Sequence, residues 1–426
     1  MAWLFASCVS TVLTPIAGWG VDMLGVRRFC AIVAPALLMS VLALSAVHTT
    51  VQLAACLSCV RFLGPECLTL ASGATYQRWF VRHRGRAAAI FGINGYILMV
   101  MPAMMSAFIE SLGWQGAARA LAVTLFALLV MGTAMVHDTP QSLGLRPDGD
   151  RTRAPDTYEM DGMDETEAAD ETEVADEARS GRTSAIQSTT ASTEAAADTA
   201  LPAAVATADA PPFAAATLRE ACRQPTLWCL ALVDTCFCLY WAGFNLTALD
   251  VVAASSDELS LLGASRVARD VFLPLSIFQN GVRSLISLYV IDRLSNRRRA
   301  LATAASAAIV ALVAMASLTL RSEAGVVVWA VAYGLATGLY LAFMEVIHAS
   351  LFGTAALGRI MGFQRAFGTF STGMGPVFFA TSHAAFGGSY SPCIALVAVL
   401  LAVSALLVGL LSWATLRDMQ HRERLP

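Results

Sequence analysis

Apolar residues run for about 20 positions at a time along most of this chain, and short polar breaks rich in arginine separate the runs. A bilayer core of ~30 Å needs roughly 20 apolar residues in a helix. Runs of that length lie at about 2–21, 29–47, 51–76, 87–110, 116–136, 226–253, 270–291, 300–320, 325–352, 360–386 and 389–414. They predict an all-α integral membrane protein with about 11 transmembrane helices, five before a central break and six after it. Gly and Pro recur inside the runs. Membrane helices tolerate them because neighbouring groups satisfy the backbone they free. The runs are too long, and too uniform from one residue to the next, for strands of a membrane barrel.

The central break sets the domain organisation: a helical block over 1–145, a linker over 146–217, a second helical block over 218–416 and a tail over 417–426. The linker is rich in Ala, Thr, Asp and Glu. Such a segment buries too little apolar surface to offset its ordering entropy, so disorder is expected there.

Composition sharpens the same picture. The chain is 57% hydrophobic and 14% charged, against ~25% charged in an ordinary soluble domain. The formal net charge of -3 conceals an asymmetry. From Asp148 to Asp209 there are 16 acidic residues, and only 5 arginines fall between Arg146 and Arg182. Of the totals, 31 acidic and 28 basic, 15 and 23 remain outside that stretch, a balance of about +8. No lysine occurs anywhere, so every basic residue counted is arginine. The 10 cysteines lie mostly inside apolar runs. Cys236-Phe237-Cys238 has the wrong spacing for zinc, and the set reads as small packing residues rather than a disulfide framework. The first run lacks a basic start and outlasts a signal core, so it reads as a spanning helix.

The arginines give the topology. One set of breaks holds Arg27 and Arg28; Arg78, Arg82, Arg84 and Arg86; Arg293, Arg297, Arg298 and Arg299; Arg359 and Arg365; and Arg417, Arg422 and Arg424. The alternate breaks hold far fewer. The rich set is therefore expected to face the cytoplasm, with the linker and C-terminus on that side and the N-terminus opposite. The plasma membrane is the default, with an organelle membrane as the alternative.

Two of the rich breaks share a design. Gly18-Trp19-Gly20-Val21-Asp22-Met23-Leu24-Gly25-Val26-Arg27-Arg28 follows the first run, and Ile291-Asp292-Arg293-Leu294-Ser295-Asn296-Arg297-Arg298-Arg299 follows the seventh. Each places an acid at a helix end, a tight turn and then a basic cluster. The Asp can pair with an Arg or face the N-terminus of a neighbouring helix. Such a device suits a gate, and Asp22, Gly25, Arg27, Arg28, Asp292, Arg293 and Arg297 are its candidate residues. This pattern resembles the loop between helices 2 and 3 of the major facilitator superfamily and its pseudo-repeat between helices 8 and 9. Arg61-Phe62-Leu63-Gly64, the run Arg78 to Ala87, Gly113-Trp114, Leu143 to Gly149, Leu357 to Gly362, Gly375-Pro376 and Gly387 to Tyr390 resemble further pieces of that superfamily in the same order. The set looks most like the monocarboxylate-transporter-like and oxalate/formate-antiporter-like branch. On this alignment the first run here corresponds to the family's second helix. The family's first helix, with the branch's acidic-Gly-aromatic signature, is then expected to be missing, through a truncated gene model or as a genuine eleven-helix form.

Charges inside the runs mark candidate sites, because a mid-membrane charge costs at least ~3 kcal/mol on insertion scales. Arg283 lies well inside the seventh run, in Phe278-Gln279-Asn280-Gly281-Val282-Arg283. Its position matches the helix-8 arginine that binds the substrate carboxylate in the branch it resembles. A guanidinium fork suits a carboxylate because it gives two parallel charge-assisted bonds. It is expected to stand alone in hydrocarbon until an anion arrives, with Asn280 beside it; the alternative is a structural arginine paired to a neighbouring helix. Gln279 stands where the monocarboxylate carriers have an aspartate tied to proton coupling, and the lysine that antiporter relatives place on helix 11 has no counterpart here. Arg365 reads as a loop-end residue. Arg61 matches the family's helix-4 arginine and is a candidate substrate ligand or a structural partner of Glu66. Glu345 and His348 lie three apart on one helix face and, with Asp234, are candidate proton-coupling groups; a plain packing role is the alternative.

No nucleotide-binding loop, nucleophile elbow or metal-ligand cluster appears, so the sequence points to no enzyme, no cofactor and no nucleic-acid partner. The resemblance implies a secondary active transporter with the major facilitator fold, moving a small organic anion, a monocarboxylate in chemical class, by alternating access. Its partners are that solute and the lipid bilayer; no motif identifies an accessory protein. The alternatives are an anion exchanger of the oxalate/formate type and a non-transporting, truncated or decayed membrane protein.

Overall fold

The computed structural model describes residues 2–145, 147–149, 211–253 and 271–422. They form long helices: α1 (Ala2–Leu24), α2 (Val26–Leu44), α3 (Thr50–Trp79), a 52-residue rod Arg84–Met135, α6 (Pro225–Ala253), α7 (Leu273–Tyr289), α8 (Asn296–Ala316), α9 (Glu323–Phe352), α10 (Leu357–Ala385) and α11 (Ser391–Arg422). Gly113 breaks the rod. Its φ of 69° is open to glycine and strained for other residues, so the rod divides into α4 (84–112) and α5 (114–135). The helices coincide with the eleven apolar runs. The expected 146–217 linker falls mostly outside the described residues. At its far edge the backbone is tied down: Phe213 N–H donates to Leu351 O at 3.0 Å and Ala215 N–H to Phe352 O at 3.0 Å, at the end of α9. The first helix after the linker runs Leu218–Cys222. At the other edge of the second block, α11 runs on past the expected boundary at 416 to Arg422.

Among the described residues, eight helices are long and apolar enough to cross a membrane by length and composition. The three that fall short, α4, α7 and α10, carry small and polar residues where they meet the opposite block. Within each block the same contacts recur: α1 packs on α3 as α7 packs on α9, and α2 packs on α5 as α8 packs on α11. Between blocks, α1 lies along α10 and α7 lies along α4. Each half thus offers equivalent elements to the other, as the repeated Asp-turn-Arg break anticipates.

The two seams are built from small residues. On α1, a side chain at Gly18 would strike the backbone of Gly358 and Gly362 on α10. On α4, Gly92 and Gly95 lie against Ser284 and Asn280 of α7. Close backbone approach is how helices associate where lipid removes the hydrophobic drive. The second block has a larger core. Tyr240, Phe244, Trp329, Tyr333 and Phe379 pack there, with Phe244 to Trp329 at 5.0 Å between ring centroids and Trp329 to Tyr333 at 5.3 Å. In that block α6 lies against α10 and α11. In the first block the equivalent region, between α3, α4, α5 and α2, is a groove of about 640 Å³.

Overpacking the seam should be costly. Gly18→Val is expected to lose about 1–3 kcal/mol of stability, read as a lower melting temperature in detergent. Gly132→Ala on α5, where an added carbon would meet nothing within 4 Å, should not fall; equal melting of the two variants would contradict the close contact.

Candidate functional site

A cavity of about 320 Å³ lies between the blocks, lined by Thr69, Gly73 and Tyr76 of α3, Asp234 of α6, Arg283 of α7, Glu345 and His348 of α9, and Gln364 and Arg365 of α10 among others. Arg283 also reaches the groove of the first block, beside Tyr76, Asn94 and Gly95. Thr69, Tyr76 and Arg283 line both spaces, and Arg283 brings the charge to their boundary.

Arg283 does not stand alone. Its guanidinium pairs with the Glu345 carboxylate, the two side chains being 19% and 17% exposed. The reason is the tight crossing of α7 and α9, where Gly334 and Gly338 admit the backbone of Leu275 and Gln279. That contact carries Glu345 to the arginine, which a single sequence cannot reveal. The Arg283 Nε and Glu345 Oε2 atoms are buried without hydrogen-bond partners. The Tyr76 hydroxyl donates to the Glu345 carbonyl at 2.8 Å, linking α3 to α9 across the cavity.

The other candidates distribute around this pair. His348 shares the cavity with Glu345, but its ring meets Gln364 Oε1 at 2.5 Å rather than the carboxylate. Asp234 faces the same cavity, with Tyr340 Oη at 3.5 Å and Cys238 Sγ at 3.8 Å. Asn280 is buried, donates to Ser276 O at 2.9 Å and sits on the seam with α4, so it is not among the cavity-lining residues. Arg61 is 8% exposed and lies over the Trp3 ring, 4.5 Å from its centroid; it lines neither space. The suggested Arg61–Glu66 pair is not formed. Glu66 instead accepts from Arg365 at 2.8 Å. Arg365 is thus no loop-end residue: it lies inside α10, lines the cavity and ties the two blocks together. Arg365, Gln364 and Tyr76 are cavity groups that sequence reasoning missed. For Arg365 the signal was its place inside the apolar run 360–386; the helix itself starts at Leu357.

At the arginine-rich end, carboxylates close onto helix N-termini. Asp22, at the end of α1, accepts from Gly358 N–H and Arg359 N–H at 2.9 Å each, at the start of α10, and from Arg78 at 2.5 Å. Asp292, after α7, accepts from Gly85 N–H at 2.6 Å and Arg86 N–H at 3.2 Å, at the start of α4. The two contacts are equivalent under the exchange of halves. Each sets a negative charge against free N–H groups and the positive end of a helix dipole. Gly25 takes φ 77° to begin α2, whose Arg27 N–H donates to Asp138 at 2.8 Å. The Arg27 and Arg28 side chains are exposed and line a cleft between α2 and α5. Arg293 is exposed and Arg297 half-buried near the same end. Asp148 adds a third closure, accepting from Arg82 N–H at 2.9 Å and His83 N–H at 3.1 Å.

Residues 1–320 match a family model described as Major Facilitator Superfamily. A search of curated proteins finds no match. Among solved structures, the chain is similar to the human organic anion transporter MFSD10 (TETRAN) at 14% identity and a TM-score of 0.60, covering 96% of this chain and 83% of that one. It is also similar to the proton:xylose symporter XylE bound to 6-bromo-6-deoxy-D-glucose, at 11% identity and a TM-score of 0.61, covering 95% and 83%. At such identities the likeness speaks for the fold alone.

The closures differ in strength. Asp22→Asn loses an arginine pair as well as charge on two N–H bonds, so it should cost about 2 kcal/mol and more than Asp292→Asn. Thermal unfolding of both variants in detergent, followed by tryptophan fluorescence, checks the order; Asp292→Asn melting lower would reverse the assignment.

Proposed function

The chain belongs to the major facilitator superfamily, and from that premise we propose that it is a secondary active transporter of a small organic anion, a monocarboxylate, working by alternating access. Members of this family carry small molecules across membranes, and the fold places a cavity between two helical blocks. The observation that carries the anion reading is Arg283: a guanidinium facing that cavity, held by a single carboxylate, Glu345.

The chemistry follows from this exchangeable pair. A carboxylate substrate competes with Glu345 for the guanidinium fork, which offers it two parallel charge-assisted bonds. The displaced Glu345 takes a proton, so anion and proton cross together and no net charge is left in hydrocarbon. His348 lies one turn along α9 and can relay that proton, its ring held by Gln364 of α10. Tyr76 positions Glu345 from the opposite block. Asp22 and Asp292 hold the arginine-rich end shut, and that end faces the cytoplasm by the distribution of arginine. In this reading the plasma membrane is the host. A second reading, exchange of anions of the oxalate/formate type, is favoured by Arg365. It puts a second guanidinium on the same cavity, suited to a substrate with two carboxylates.

Purified protein in liposomes should take up radiolabelled lactate, pyruvate or oxalate. Arg283→Ala should cut the initial rate about 100-fold, the worth of one or two charge-assisted bonds. Arg283→Lys should not restore it, since an ammonium lacks the fork. Glu345→Gln should abolish the response to an imposed pH gradient while anion-for-anion exchange persists. Full uptake by Arg283→Ala would end the anion assignment; pH-driven uptake by Glu345→Gln would end the proton step.

A further inference from the structure

Four charged side chains on three helices cluster at the cavity, and their pairing is uneven. Glu66 on α3 and Arg365 on α10 form an ion pair between the blocks at 2.8 Å, with the carboxylate side chain 4% exposed. Arg61 on α3 lies within electrostatic reach of both, yet makes no ion pair among the described residues, and its Nε is buried without a hydrogen bond. Asp234 on α6 lies within reach of Arg365 and Glu66, also without an ion pair. Its carboxylate abuts Gly368, one turn along α10 from Arg365. Each unpaired group has only a weak partner: the Trp3 ring for Arg61 and, for Asp234, Tyr340 and Cys238 at 3.5 and 3.8 Å.

The backbone supplies the geometry for a change of partner. Residues Phe62–Leu68, which include Pro65 and Glu66, form a π-helical stretch inside α3. In a π turn the bonding runs from i to i+5, so Arg61 and Glu66, five apart, come one above the other on the helix. The complementary alignment exists in the second block, where Arg365 and Asp234 face one another across the α6–α10 contact. Simply breaking the Glu66–Arg365 pair would leave two charges uncompensated in hydrocarbon, which is strongly unfavourable.

We propose that the four exchange partners as the blocks part: Glu66 passes from Arg365 to Arg61 within the first block, and Arg365 passes to Asp234 within the second. Two ion pairs then replace one. No charge is left alone, and Arg61 and Asp234 act as positioning residues for the conformational step rather than as ligands of the solute. The inference rests on the carrier reading for the existence of that step.

The test reads the blocks directly. Spin labels are placed at exposed Val51→Cys on α3 and Ala384→Cys on α10, with exposed Cys8 and Cys59 as serine, and the full chain is measured in lipid nanodiscs. Asp234→Asn and Arg61→Gln each remove a receiving partner and should shift the distance distribution toward the short, joined state by roughly tenfold in population. Glu66→Gln should shift it toward longer distances. Arg61→Lys, which keeps the charge but not the planar stack on Trp3, should restore the parent distribution and separates partner exchange from packing. The proposal is overturned if either Asp234→Asn or Arg61→Gln leaves the distribution unchanged or lengthens it, or if Arg61→Lys fails to restore it. Distances that shift as expected in a protein that moves no anion would defeat the anion reading and leave the exchange standing.

Discussion

A charge in hydrocarbon is costly unless a counter-charge meets it inside the protein, and that constraint shapes this structure at three places. Arg283 rests on Glu345, Arg365 on Glu66, and Asp22 on Arg78 and the start of α10. Each joins helices distant in sequence. The first lies within the second block and Asp22–Arg78 within the first, while Arg365–Glu66 and the contact of Asp22 with α10 cross between blocks. An internal pair can open toward a solute without disturbing the assembly, whereas a crossing pair opens only when the halves move. In the proposed carrier, the division of labour between binding and gating follows from which helices share each charge.

The repeat between the halves gives the same constraint a symmetric form. Asp22 caps α10 and Asp292 caps α4, so the first block closes on the second with the same chemistry as the second on the first. The halves are not equal in filling. The second packs α6 against α10 and α11 around an aromatic core, while the first leaves a groove beside α4 and α5 that reaches Arg283.

Much of the fold was legible in the sequence, because run length in a membrane protein is set by bilayer thickness and the helix rise. The eleven runs, the Gly113 break and the matching Asp22 and Asp292 devices all follow from local pattern. The partners of the buried charges were not legible. Arg283 reads as solitary because Glu345 lies 62 positions on, and Arg61 is paired on paper with Glu66 because they are neighbours in the chain. The structure gives Glu66 to Arg365, 299 positions away, and stacks Arg61 on Trp3 instead. Which helix faces which depends on seams of small residues, and those glycines read only as tolerated helix breakers until their opposite numbers are known. Asn280, a polar residue near the presumed site, bonds to its own helix and lies on the seam.

The thinness of those seams has a mechanical consequence. Where Gly18 meets Gly358 and Gly362, and where Gly92 and Gly95 meet Ser284 and Asn280, no bulky side chain from one block is keyed between those of the other. Displacement along such a surface needs no rotamer changes and no repacking, in contrast to the aromatic cluster of α6, α9 and α10, which is interlocked and resists shear. The molecule therefore has two bearing surfaces and one stiff frame, and strain imposed anywhere will be discharged by sliding at the bearings.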